Sequence, residues 1–311
     1  MGKKAALQMG IEIEVELEKY KKYRTLLPMT DSELQSYQTP EQIGNTLDKN
    51  YMKILFGEDC FGEEDDDDCF EEEDGDLWRD KLTKIVFSDS IPEESVIRSS
   101  ETAIYGDISE AKDGSVIGWV EKLDAADFEY DMEYILHIDG NGKVCAPVDS
   151  KELFYGFSEV REIEFGNAFD TSQTVNMEYM FGWCEKLSIL DVSSFHTENV
   201  TGMKFMFSDC VSLQELDVSS FHTENVTDMA FIFNNCSSLQ ELDVSGFDTK
   251  NVTNMYCMFS DCSGLKELNV SSFDTSSVID MRGMFYGCSG LKELNVSGFD
   301  TSRAVWMGRY V

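Results

Sequence analysis

The C-terminal half of the chain repeats one pattern of apolar and polar positions every 26 residues. Each copy starts at a phenylalanine, and there are five complete copies and one incomplete one. The starts are Phe169, Phe195, Phe221, Phe247, Phe273 and Phe299. The copies that begin at Phe195 and Phe221 share 19 of 26 residues. A fixed period of this size is typical of a solenoid, because each unit can bury its apolar face only by stacking on its neighbours.

One half of each copy predicts a short parallel strand. The segment LQELDV has the L-x-x-L-x-L form, in which Leu216 and Val218 lie two residues apart and therefore on one face. Ordinary leucine-rich repeats place an Asn after this strand, whereas here the position holds Phe221 and its copies. The backbone groups that an Asn ladder would satisfy need other partners, and the neighbouring Asp, Asn and Ser positions are candidates.

The other half of each copy predicts a short helix. In VTDMAFIFNNCSSL, Met229, Ile232, Phe233 and Cys236 fall at i, i+3, i+4 and i+7, which is one stripe of a helix. Asp228, or Thr227 beside it, is a candidate N-cap. The predicted fold class is therefore α/β: a leucine-rich-repeat-like solenoid of stacked parallel strands and short helices, preceded by a strand-rich N-terminal capping region and a small N-terminal module.

The rest of the chain divides by composition. Residues 58–76 contain 13 acidic residues and no basic residue, so self-repulsion favours an extended linker. We expect a small N-terminal module over 1–56, an acidic linker over 57–79, a strand-rich lead-in that caps the repeats over 80–165, and the solenoid over 166–311. A cap is needed because an uncovered end repeat would expose its apolar face.

Charge and hydropathy limit the partners. The net charge of −35 argues against nucleic acid and anionic membranes, and favours cationic partners or metal ions. No apolar run approaches the roughly 20 residues of a membrane-spanning helix, so direct membrane insertion is not expected. The N-terminus shows no signal peptide, because Glu12, Glu14 and Glu16 interrupt its short apolar stretch.

The positions of the cysteines indicate a structural role rather than a metal-binding or catalytic one. Five of the nine are 26 residues apart: Cys184, Cys210, Cys236, Cys262 and Cys288. This spacing predicts a buried column of thiols, and the absence of paired C-x-x-C motifs with histidine argues against zinc. The sequence contains no glycine-rich phosphate loop, and no nucleophile can be matched to any of its three histidines. We therefore expect no enzyme activity, no cofactor and no metal site.

Acidic positions recur with the same period. Because neighbouring strands lie about 5 Å apart, stacked copies place equivalent residues in columns. One column holds only Glu, the next Asp followed by Asn, and the candidate ligand-binding residues of this strand face are Glu215, Asp217, Glu241, Asp243, Glu267 and Glu293. They are suited to a basic protein surface or divalent cations. The alternative is that Lys266, Lys292 and solvent screen the Glu column while the Asp and Asn side chains hydrogen-bond the backbone.

The repeats CSGLKELNVSSFDTSSVIDMRGMFYGCSGLKELNVSGFDTS (262–302) resemble those of the BspA-type leucine-rich-repeat surface proteins. The segments LTKIVFSD, AKDGSVIGWV and YILHIDGNGKVCAPVDSKELFYGF resemble the lead-in of that family, so the resemblance covers roughly residues 80–311. It implies a rigid binding scaffold, a role in adhesion to host or extracellular proteins, and a cell-surface or secreted location. The missing signal peptide leaves a cytoplasmic location open.

These observations predict a non-catalytic protein-binding or adhesion module. The alternative is a structural spacer or display scaffold with no specific ligand. The sequence indicates neither the ligand nor the oligomeric state.

Overall fold

The computed structural model describes residues 46–49, 81–93, 97, 105–111, 114–123 and 133–308. The predicted linker over 57–79 lies outside the described residues. Of the predicted N-terminal module only residues 46–49 are described, so the boundaries at 56, 79 and 165 stay predictions.

The described chain is rich in sheet. Its strands are β1 (Leu82–Ser88), β2 (Tyr105–Asp107), β3 (Val116–Leu123), β4 (Glu133–Gly140), β5 (Val144–Cys145), β6 (Glu162–Glu164), β7 (Phe169–Asp170) and β8 (Ile189–Leu190). No helix occurs between residues 133 and 308. The strands shorten from seven or eight residues in β1, β3 and β4 to two in β8, so regular pairing is concentrated in the lead-in.

Six strands form one mixed sheet in the order β2-β3-β4-β1-β6-β8. Strand β3 is antiparallel to β2 and β4, while β4, β1, β6 and β8 run parallel. In β1, Ile85 and Phe87 are buried two residues apart, as expected for a strand with one face on a core. In β3, five consecutive residues from Val116 to Val120 are buried, because Ile97 packs on its second face.

The lead-in continues directly into the first repeats. Strand β1 pairs with β6, β6 pairs with β8, and a parallel bridge between Glu215 and Glu241 prolongs the same line. A second pairing, β5 with β7, joins the lead-in to the start of the first copy at Phe169. Leu47 is buried in the same core and its amide donates to the carbonyl of Cys145 (3.0 Å).

Successive copies lie side by side, with equivalent residues in columns. A chain of parallel bridges joins residues one period apart: Asn176, Gly202, Asp228, Asn254, Asp280 and Trp306. Inside, a spine of phenylalanines stacks ring on ring, with centroids 5.5–5.8 Å apart and ring planes within 10° of parallel. The spine consists of Phe154, Phe181, Phe207, Phe233, Phe259 and Phe285. Dispersion and apolar burial between like side chains therefore hold the copies together.

The predicted short helices are wrong for the described repeats. The segment that contains Met177 and Cys184 is a series of overlapping turns, each closed by an amide that donates to the carbonyl three residues earlier. The alternate amides, such as Tyr179 N and Phe181 N, donate to the next copy instead. A helix would use all of these amides internally. Linked turns bury side chains three and four residues apart, as a helix does. The spacing of apolar residues therefore predicted a helix where the chain forms turns.

A buried threonine column supplies the kind of backbone partners that the Asn ladder provides in ordinary leucine-rich repeats. Thr223 Oγ1 accepts a hydrogen bond from the amide of Asp248 (2.8 Å) and donates to the carbonyl of the same residue (3.1 Å). The same exchange joins Thr197 to His222 and Thr249 to Asp274. The sequence prediction looked to Asp, Asn and Ser for this role and missed the threonines.

Candidate functional site

The structure brings the predicted glutamates onto one surface. Glu215 and Glu241 are bridge partners, and the amide of Lys266 donates to the carbonyl of Gln240 (3.2 Å), which places Glu267 next in the row. Glu293 stands one period further on, and all four side chains are exposed. Leu216 and Leu242 point into the core beside them. We call Glu215, Glu241, Glu267 and Glu293 the acidic column.

The acidic column carries carboxylates without cationic partners. Among the described residues, no hydrogen bond or ion pair reaches the side chain of Glu215, Glu241, Glu267 or Glu293. Lys266, which was expected to screen them, instead donates to Gln240 Oε1 (2.6 Å). The column begins beside Ile189, whose side chain is 58% exposed at the equivalent position of the first copy. The surface is therefore a row of solvated acids with an apolar residue at one end.

The aspartates beside the acidic column have a structural role. The amides of Ser219 and Ser245 donate to Asp217 Oδ1 and Asp243 Oδ1, both at 2.9 Å. Asn269 accepts the same bond from the amide of Ser271 (3.1 Å). Hydrogen bonds from the serine hydroxyl and then the serine amide lower the pKa of both aspartates. These are the backbone hydrogen bonds that the alternative interpretation expected of this column, and a ligand-binding role for Asp217 and Asp243 stays a prediction.

Sequence reasoning missed a second surface column, made of aromatic rings. Tyr179, Phe205 and Phe231 stack with centroids 4.4 and 4.3 Å apart and remain half-buried. All three have positive φ, between 57° and 59°, a conformation that bulky residues rarely adopt. The equivalent position of a later copy is Gly283, at φ 62°. Aromatic residues at a period of 26, in a position that also holds glycine, were the available signal.

Two of the three histidines line an open cleft at the start of the repeats. The cleft has a volume of about 380 Å³, and Lys143, Asn167, His196, Glu198 and His222 are among its lining residues. Both repeat histidines, His196 and His222, are exposed, and His196 Nδ1 lies 3.5 Å from Glu198 Oε1. His137 lies elsewhere, on β4, where its ring stacks on Trp119 at 3.9 Å and contacts Glu121 (2.8 Å).

The periodic cysteines form a column of free thiols, buried at Cys184, Cys210, Cys236 and Cys262 and partly buried at Cys288. Cys236 Sγ donates to the carbonyl of Phe207 (3.1 Å), and Cys210 and Cys262 make the same contact one copy away (3.2 and 3.0 Å). Burial raises the pKa of these thiols, that of Cys184 to about 12. They are therefore packing residues held as neutral thiols, unsuited to nucleophilic attack at neutral pH.

The described ranges contain neither a candidate metal site nor a helix that could span a membrane. There, no three His, Cys, Asp or Glu side chains are grouped so that they could hold a metal ion. The acidic column is a single row of spaced carboxylates, and a cation needs several oxygens converging on one point. Within the same ranges, no helix has the length and hydrophobicity needed to cross a bilayer.

A family model matches the repeats and the last residues before them. No curated protein and no solved structure matches the chain. The family model matches twice, over residues 148–267 and 233–310, which together span more than half of the chain. The overlapping matches follow the periodic part of the sequence. The chain belongs to the family described as "Mycoplasma protein of unknown function, DUF285".

Proposed function

We propose that the repeat region is a leucine-rich-repeat-like solenoid that acts as a non-catalytic protein-binding or adhesion module, and that the acidic column contacts a basic partner. The observation that carries the proposal is the row of exposed carboxylates without cationic partners from Glu215 to Glu293. The relationship to the BspA-type surface proteins is part of the same proposal.

Electrostatics favours an external partner for this row. Equivalent positions lie about 5 Å apart, the spacing of neighbouring strands. Unit charges at that distance repel by somewhat less than about 1 kcal/mol in water, and more beside protein. Lys266 binds Gln240 rather than a glutamate, so the chain itself leaves the repulsion in place. A basic surface laid along the row would relieve it at several positions at once.

The packing beneath the acidic column gives it a fixed shape. Leu216, Leu242 and Leu268 are buried directly between the acidic positions, and Phe233 and Phe259 stack behind them. On a rigid support, binding a partner requires no further ordering of the main chain, and only the glutamate side chains lose rotamer freedom. The high negative charge of the whole chain would also accelerate encounter with a basic protein, in a salt-dependent manner.

Retention on a panel of purified extracellular proteins, graded by isoelectric point, tests the proposal. The test variant replaces Glu215, Glu241, Glu267 and Glu293 by Gln. The control variant changes four acids elsewhere on the repeats to their amides: Asp248→Asn, Asp274→Asn, Asp300→Asn and Glu198→Gln. Asp248, Asp274 and Asp300 accept a backbone amide through Oδ1, a bond that Asn retains.

We expect the full chain to bind basic members of the panel and the test variant to bind at least tenfold more weakly at an unchanged melting temperature. The control should bind like the unmodified protein. Equal binding by test and control variants would show that only net charge matters. If neither the unmodified chain nor the test variant binds any member of the panel, the result would instead support the structural spacer.

The proposed location is the cell surface or the extracellular medium, which follows from the same resemblance. Protease treatment of intact cells should remove the protein together with other surface proteins. Protection until the cells are lysed would place it in the cytoplasm and exclude an adhesive role.

A further inference from the structure

A second surface of the repeats combines exposed aromatic rings with a row of amide and carboxylate groups. Trp183 stands at one end, 37% exposed, and Tyr286 at the other, 46% exposed. Between them lie four half-buried polar residues from three successive copies, which we call the polar strip. It consists of Asp209, Asn234, Asn235 and Asp261. Ser208 and Ser260, which precede the two aspartates, are buried. None of these residues belongs to the acidic column.

Backbone hydrogen bonds fix this surface as one continuous row. The amide of Trp183 donates to the carbonyl of Ser208 (2.8 Å), and that of Asp209 to the carbonyl of Asn234 (2.8 Å). The series continues from Asn235 to Ser260 (2.8 Å) and from Asp261 to Tyr286 (2.6 Å). The two exposed rings are therefore four copies apart, about 20 Å at the spacing of parallel strands.

The polar strip is held rigidly but keeps hydrogen-bonding capacity. Asp209 Oδ2 accepts from the Ser208 hydroxyl (2.6 Å), and Asp209 Oδ1 accepts from Asn235 Nδ2 (2.9 Å). Ser260 donates to Asp261 Oδ2 in the same way (2.9 Å). Each carboxylate can accept about four bonds, and an amide group offers two donors and an acceptor. Half-buried amide and carboxylate groups with remaining lone pairs and N–H bonds thus recur in three adjacent copies.

Trp183 is retained at a backbone cost. Its φ is 57°, a left-handed conformation that is unfavourable for residues other than glycine. Asp209, Asn235 and Asp261 occupy the same conformation in the following copies, where short polar side chains tolerate it well. Glycine replaces them at Gly287, with a φ of 73°. The Trp183 ring packs on Tyr155, with centroids 5.4 Å apart, and part of it stays open to solvent.

This combination matches the chemistry of a neutral sugar polymer. Exposed aromatic rings pack against the C–H faces of pyranose rings, while carboxylate and amide groups take and give hydrogen bonds to hydroxyls. The rise of about 5 Å per copy is comparable to the length of one pyranose unit, so a linear glycan along the row meets equivalent groups at each step. The net charge of −35 disfavours uronate or sulfate polymers.

We propose that the surface from Trp183 across the polar strip to Tyr286 binds a neutral linear polysaccharide. Trp183 and Tyr286 stack against sugar rings at its two ends. Asp209, Asn235 and Asp261 bind hydroxyl groups between them. The site is distinct from the protein-binding surface proposed above and does not depend on it.

Native electrophoresis of the full chain in gels that contain soluble polysaccharide tests this site. The probes are neutral glucan, mannan, xylan and galactan, with polygalacturonate as the acidic comparison. The test variant is Trp183→Gly with Tyr286→Ser, which introduces residues that the equivalent positions of other copies already hold at Gly287 and Ser260. A second variant, Asn235→Ala, removes one hydroxyl partner and leaves both rings. The control is Glu215→Gln with Glu241→Gln on the acidic column.

We expect at least one neutral polymer to retard the unmodified chain, and the test variant to show at least a tenfold higher dissociation constant at an unchanged melting temperature. Asn235→Ala should weaken retardation severalfold, and the control should leave it unchanged. Three results would overturn the proposal: no retardation by any neutral polymer, retardation by polygalacturonate alone, or equal retardation of the folded test variant. Because the control alters the other surface, the two proposals can fail separately.

Discussion

The lead-in and the repeats build their buried cores by different means. In the lead-in, β1, β3 and β4 are conventional strands joined by long backbone ladders. In the repeats, β7 and β8 have two residues each and only isolated bridges follow Leu190 up to residue 308, so order comes from turns, stacked rings and side-chain bonds to the backbone of neighbouring copies. The repeats show that a sheet-like stack needs little regular strand when every copy offers the same side chain at the same place.

The difference lies in where backbone polar groups find partners. Between β3 and β4, amides and carbonyls pair with each other over eight consecutive positions. Between copies, buried threonine hydroxyls, asparagine amides and cysteine thiols take part of that role, as with Asn225 Nδ2 and the carbonyl of Glu198 (2.9 Å). Side-chain substitutions should therefore damage the repeats more than equivalent substitutions damage the lead-in.

The largest effect is expected inside the phenylalanine spine. Phe233→Ala removes a fully buried ring stacked on both sides, at 5.7 Å from Phe207 and from Phe259, and should cost about 3–5 kcal/mol. Because each copy contacts mainly its neighbours, hydrogen–deuterium exchange should rise in the copies around Phe233 and stay low in β1 and β4. Uniform loss of protection across β4 as well would mean that the two regions unfold as one unit.

A smaller effect is expected from the threonine column. Thr223→Val keeps the shape but leaves the amide and carbonyl of Asp248 without their partner, at a cost of about 1–3 kcal/mol in urea unfolding. The matched control is Thr83→Val in β1, where the hydroxyl makes only contacts of 3.5 Å and the strand ladder satisfies the backbone. Its cost should be below about 0.5 kcal/mol. Equal costs would remove the contrast between the two regions.

The smallest expected effect concerns the pH dependence of stability, which should have opposite signs for Asp217 in the repeats and Asp139 in the lead-in. The pKa of Asp217 in the repeats is lowered by hydrogen bonds from Ser219, so its contribution to stability is lost as pH falls through the folded value. The pKa of Asp139 in β4 is raised by burial, so its contribution is present at low pH and lost as pH rises through the folded value. Asp217→Asn should gain stability relative to the unmodified chain below about pH 4, and Asp139→Asn above it.

Thermal unfolding of both variants between pH 3 and 7 checks these signs. Asn is a fair replacement at 217 because Asn269 makes the same turn contact two copies later. If both variants shift in the same direction with pH, the difference in environment between Asp139 and Asp217 does not govern acid stability.

Much of the fold could be predicted because the same apolar positions recur in successive copies of the repeat. The period of 26 identified the buried positions, and Leu216, Val218, Phe221 and Cys236 are all buried. The helix prediction failed because the spacing of apolar residues indicates which side chains are buried. It does not indicate which carbonyl each backbone amide donates to. Thr223 looked like any polar residue of a turn, and only its recurrence two residues after each phenylalanine hinted at a ladder.

The surfaces were less predictable than the core. The acidic column followed from the period alone, since any exposed residue that recurs must form a row. The surface from Trp183 across the polar strip did not, because Trp183, Asp209 and Asn235 share neither charge nor size, and only the backbone bonds between copies show that they are neighbours. A surface built from different residues at one repeat position becomes visible only when the register is known.

Disulfide trapping tests that register most directly. Glu215→Cys and Glu241→Cys change two bridge partners, whose Cα atoms should lie about 5 Å apart and within the range a disulfide spans. Glu215→Cys with Glu267→Cys doubles that separation to about 10 Å, beyond disulfide reach. After mild oxidation, peptide mapping should show the 215–241 bond in nearly all of the first variant and no 215–267 bond in the second. A 215–267 bond, or a first variant that stays reduced, would contradict the stacking of copies one period apart.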